Sequence, residues 1–66
     1  MAKDKYITPT TVEVEIGGET YSGSYTHDRG IVTAEWDGWT EKTQVGASAE
    51  ATAKQLVRQL VREHRS

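Results

Sequence analysis

Four cations stand where chemistry could be done. Lys54, Arg58 and Arg62 follow one another at intervals of four residues, and Arg65 lies close to the same side. On a helix that spacing makes one row along the outer face. Like charges so placed cost ~0.2–0.5 kcal/mol per pair, so the row asks for a reason. It either meets phosphates or an acidic partner surface, or it is a solvated helix end favoured by the dipole and by Glu50, one turn before Lys54. Arg29 is a separate cation that a phosphate-binding surface could add. His27-Asp28-Arg29 is the nearest approach to a reactive cluster, but catalysis also needs a nucleophile or a substrate pocket, and the sequence supplies neither. His64 has no companions at metal-ligand spacing, and a chain with 0 Cys cannot build a thiolate zinc site. No catalytic residue, metal ligand or cofactor is therefore assigned. Trp36 and Trp39 could mark a ligand site, yet a domain with 0 Phe needs its Trp and Tyr area to fold.

The elements that must position the cationic row are legible around it. From Ala49, the residues Ala53, Leu56, Val57, Leu60, Val61 and His64 fall at offsets 4, 7, 8, 11, 12 and 15, the apolar stripe of an amphipathic helix. Ser48 is the expected N-cap, with Gly46 as the alternative, and Glu50 sits in the first turn. A lone helix of this length is marginal in water, so the stripe must be covered by what precedes it. Upstream, Thr10–Ile16 alternates strictly, with Val12, Val14 and Ile16 on one face, and Gly17-Gly18 supplies a two-residue hairpin turn. The second strand then pairs Val14 with Tyr21, Val12 with Gly23 and Thr10 with Tyr25. His27-Asp28-Arg29-Gly30 reads as a four-residue loop that pairs Thr26 with Ile31, Tyr25 with Val32, Gly23 with Ala34 and Tyr21 with Trp36. Gly23 and Ala34 side by side would make a shallow floor for the helix, with Ala49 and Ala53 candidates to sit there.

Asp37-Gly38 could turn the chain into a fourth strand at Trp39, but that pairing sets Glu41 opposite Ala34 on the apolar face, where a carboxylate without a partner is expensive. The reading adopted is an irregular connection over 37–46, with Trp39 covering one end of the core. The expected fold is α+β: a three-stranded antiparallel β-meander in order 1-2-3 with one C-terminal α-helix packed on one face (βββα). Residues 1–9 are expected to form a flexible N-terminal tail, in which Tyr6 and Ile7 could dock on the domain edge, and 10–66 the single domain. Strands 1 and 3 would be the sheet edges.

At 66 residues there is room for one domain, small but within what folds without staples. The formal net charge is −2, divided unequally. Residues 1–46 carry 4 cations against 8 carboxylates, and residues 47–66 carry 4 cations against 2. That split weakens any case for broad attraction to nucleic acid while leaving a local basic patch. No apolar run approaches a membrane span, the N-terminus lacks a signal-peptide core, and the absence of cysteine fits the cytoplasm. The uncovered sheet face, rich in Thr, Ser and Glu, offers no aromatic on which a base could stack.

The order strand, strand, strand, helix, with the helix opening near Gly46–Leu56, resembles the C-terminal part of a double-stranded-RNA-binding domain. Of that family's lysine-rich helix start only Lys54 has a counterpart, and its first helix has none. The order is also similar to HicB-like antitoxin modules, whose proline-containing segment after the second strand is missing, Pro9 being the single proline. Neither resemblance assigns a function. The functional expectation from the residues is a small non-catalytic binding module whose Lys54, Arg58, Arg62 and Arg65 meet an acidic protein partner. The alternative is a nucleic-acid binder using the same row, with Arg29, on phosphates. No membrane role is expected, and the chain would be a monomer or a weak homodimer through a sheet edge.

Overall fold

A computed structural model describes residues 9–65. The expected tail over 1–9, including Tyr6 and Ile7, lies outside the described residues except for Pro9. Four strands, β1 (Thr10–Ile16), β2 (Glu19–Asp28), β3 (Ile31–Trp36) and β4 (Trp39–Gln44), form an antiparallel meander in the order β1-β2-β3-β4. A single helix, α1 (Ala49–His64), follows and covers one face. The α+β class with an antiparallel sheet and one C-terminal helix agrees with the sequence reading; the strand number does not.

All three hairpins turn on two residues that both have positive φ: Gly17-Gly18 at 61° and 84°, Arg29-Gly30 at 55° and 79°, and Asp37-Gly38 at 54° and 84°. Positive φ at both central residues is the signature of the type I′ turn, whose twist matches that of the flanking strands. The fourth strand, expected as an irregular connection, is launched by the last of these turns. Glu41 does pair with Ala34 on the helix side, as the argument against a fourth strand required. No desolvation cost attends that placement, because α1 packs least against β4 of the four strands and Glu41 is exposed. Consequently the sheet edges are β1 and β4, rather than the first and third strands.

The second turn corrects the β2–β3 register. His27 and Asp28 belong to β2, so Asp28 pairs with Ile31, His27 with Val32 and Tyr25 with Ala34, two residues away from the expected pairing. Adding two rungs gains ladder hydrogen bonds, and it needs Arg29 in the left-handed region at a cost of roughly 1–2 kcal/mol. A slip of two preserves the side-chain alternation, so the same residues still face the helix. The β1–β2 register is as read from the sequence, with Val12 opposite Gly23 and Val14 opposite Tyr21.

Val12, Val14, Val32 and Ala34 from the sheet meet Ala53, Leu56, Val57, Leu60 and Val61 from the helix in the buried core. Ile16, Tyr21, Tyr25 and Trp36 close its margins. Gly23 is where the helix approaches most closely: a Cβ there would lie 2.8 Å from Val57 Cγ2 and 2.7 Å from the Glu35 carbonyl oxygen. The glycine seat exists, therefore, but its occupant is Val57 instead of Ala49 or Ala53, and Ala34 is Tyr25's neighbour. Ser48 caps the helix by accepting a hydrogen bond from Ala51 N–H at 3.0 Å. The connection before it is tied twice: Val45 N–H donates to Gly30 O at 2.8 Å, and Gly46 N–H donates to Thr52 Oγ1 at 2.8 Å. Thr52 is the buried polar residue of the core, and this bond satisfies it.

Candidate functional site

The apolar stripe fixes how α1 is rotated about its axis and so decides which side chains face outward. Gln55, Arg58, Gln59, Arg62 and Glu63 line an open trough on the outer side of the helix. It is formed by side chains of one helix only and is open to solvent. Lys54 Nζ lies 3.4 Å from Glu50 Oε2, an exposed pair one turn apart worth about 0.3–0.5 kcal/mol. Glu63 accepts from Gln59 Nε2 at 3.3 Å and lies 3.9 Å from His64 Nε2. Among the described residues, Arg58 and Arg62 make no ion pair, and they stand one helical turn apart.

Arg65 leaves the row. Its Nη1 donates to Tyr21 OH at 3.1 Å, and Tyr21 in turn donates to Glu19 Oε1 at 3.3 Å, so it closes the end of the sheet against the helix C-terminus. Arg29 lies at the opposite end of the domain, next to Gly30, where the chain between β4 and α1 is tethered. The five cations picked out from the sequence are thus divided: Arg58 and Arg62 together, Lys54 paired at their flank, Arg65 turned to the sheet, and Arg29 apart.

The Arg65 end holds two aromatic contacts, of which Tyr21 with Trp36 is expected from the strand pairing and Trp39 with His64 is not. Trp39 stacks on His64 with ring centroids 3.6 Å apart and planes 5° from parallel, and Trp36 meets Tyr21 edge-on at 5.9 Å. Trp39 is 48% exposed, so it covers the helix end at His64 and not the core. Asp37-Gly38 was the available signal, since a two-residue turn there returns Trp39 to the helix side.

His27 and Asp28 are neighbours on β2 and exposed, so their side chains leave opposite faces of the sheet and form no acid–base pair. Among the described residues no three His, Asp or Glu side chains gather as a metal site, and no buried side-chain nitrogen or oxygen lacks a partner. No described helix is long and apolar enough to cross a membrane.

The uncovered face of the sheet carries Thr11, Glu13 and Glu15 from β1; Thr20, Ser22, Ser24, Thr26 and Asp28 from β2; Ile31, Thr33 and Glu35 from β3; and Thr40, Lys42 and Gln44 from β4. Ile31, 37% exposed, is its one large apolar side chain. No protein-family model, curated protein or solved structure matches this chain.

Proposed function

We propose that this chain is a small, non-catalytic binding module of the cytoplasm whose helix outer face, through Arg58 and Arg62 with Lys54 at its flank, meets an acidic protein surface. The observation that carries this reading is the trough itself. Two guanidiniums without an ion pair among the described residues, Arg58 and Arg62, stand one turn apart beside Gln55 and Gln59, with Glu63 at the far end of the trough, on a helix whose other side is committed to the core. Guanidinium planes in that arrangement suit bidentate contacts with carboxylates, and the glutamines add neutral donors and acceptors. A nucleic-acid reading is less well supported. Arg29 and Arg65 are both drawn away from the row, and two cations release few counterions from a phosphate backbone.

A photo-crosslinking residue at Gln59 tests this in the cells that make the protein. The expected adducts are acidic proteins, lost in the Arg58→Glu/Arg62→Glu variant. Adducts that are nucleic acid, or protein adducts unchanged by the double variant, would overturn the reading.

A further inference from the structure

We infer that the uncovered sheet face is a docking surface for the helix of a second copy of this chain, so that the molecules stack helix to sheet. This rests on the reading of the helix face as one that seeks carboxylates, and names one source of them. Among the described residues, Glu13, Glu15, Glu35 and Asp28 stand exposed on this face against one cation, Lys42, and Pro9 borders it beside Ser24, Thr26, Thr33 and Glu35. Their placement is a trough. Glu13 pairs with Ser22 and Glu15 with Thr20, while Ser24 pairs with Glu35, so carboxylates rise from β1 on one side and β3 on the other above a floor of short hydroxyl side chains on β2.

The dimensions match a helix. β1 and β3 are separated by two strand spacings of about 4.8 Å each, roughly the ~10 Å width of a helix with its side chains. Glu13 and Glu15, two residues apart on a strand, are ~6.8 Å apart along it, and Arg58 and Arg62 rise ~6 Å along a helix. One row of guanidiniums can therefore meet one row of carboxylates, with Gln55 and Gln59 over Thr20, Ser22 and Ser24 to exchange hydrogen bonds. Because α1 covers the opposite face of the sheet, a docked copy leaves its own sheet face open. The contact is head-to-tail, and it extends into a stack unless the rotation between copies closes a ring.

Sedimentation of the purified protein in low salt tests this. The average mass is expected to rise with concentration and to fall to that of a monomer in ~1 M salt, where the screening length is about 3 Å. Arg58→Glu/Arg62→Glu and Glu13→Lys/Glu15→Lys/Glu35→Lys, both at surface positions, are each expected to be monomeric alone and to associate when mixed. A nitroxide on Gln59→Cys should broaden the Thr20–Ser24 amides of isotopically labelled wild-type chains, a readout that does not depend on how the charge variants fold. A wild type that stays monomeric in low salt, a mixture that does not associate, or broadening confined to the β4 edge would each overturn the inference. The first of these with acidic host proteins still captured at Gln59 would sink self-docking and leave the proposed function standing.

Discussion

Gly23→Ala is the sharpest test of how the helix is seated. The new Cβ would lie 2.7 Å from the Glu35 carbonyl oxygen, 2.8 Å from Val57 Cγ2 and 3.1 Å from Val57 Cγ1. Comfortable carbon contacts begin at roughly 3.5 Å, so relief needs shifts of several tenths of an ångström against a backbone oxygen and a β-branched side chain that is fully buried. Overpacking of this kind costs typically ~1–3 kcal/mol, and the lower entropy of the unfolded alanine chain returns only about 0.4–1 kcal/mol. With two obstructions we expect a net loss of about 2 kcal/mol. At ~4–8 °C per kcal/mol for a domain of this size, the thermal midpoint should fall by about 8–16 °C. Val57→Ala removes both methyl obstructions at its own cost of about 2 kcal/mol, from ~0.8 kcal/mol for each buried carbon and the cavity left behind. The double variant should then be more stable than the sum of the two losses by at least ~1 kcal/mol, with incomplete rescue because the Glu35 oxygen stays. Urea unfolding of the four proteins in the cycle measures this. A Gly23→Ala variant within ~0.5 kcal/mol of wild type, or a cycle additive to within that margin, would refute the close approach.

Ser48→Ala deletes the acceptor for Ala51 N–H and should cost about 0.5–2 kcal/mol in denaturant unfolding, with Ser48→Asp near neutral. Arg29→Asn places a residue that tolerates φ near 55° at the β2–β3 turn, so it should raise stability by ~0.5–1 kcal/mol and leave Gln59 crosslinking unchanged. His64→Ala, made in a Trp36→Phe background so that Trp39 reports alone, should red-shift the tryptophan emission and lose about 0.5–1.5 kcal/mol as the stack opens.

Much of this was legible in the residues because it depends on near neighbours. Val12, Val14 and Ile16 alternate, Gly17-Gly18 turns, and the β1–β2 register follows from those two facts alone. The stripe from Ala49 to His64 and the cap at Ser48 are likewise local, and so is the outward row of Lys54, Arg58 and Arg62. Where sequence reading went astray, the deciding quantity was not local. Treating His27-Asp28-Arg29-Gly30 as a loop respected the polarity of those residues, but strand extension outweighed a left-handed arginine. Rejecting β4 assumed that a carboxylate opposite Ala34 must be buried, which depends on where the helix lies across the sheet.

The row of cations shows the same division most plainly. Its spacing is a property of the sequence, since a helix of known register places Arg58 and Arg62 outside. Which members remain available is a property of the fold. Arg65 meets Tyr21 only because the helix C-terminus ends over the β1–β2 hairpin, and Arg29 is remote because α1 runs away from its turn. Periodicity determines which way a side chain points from its own element. Only the packing of element on element decides what it finds there.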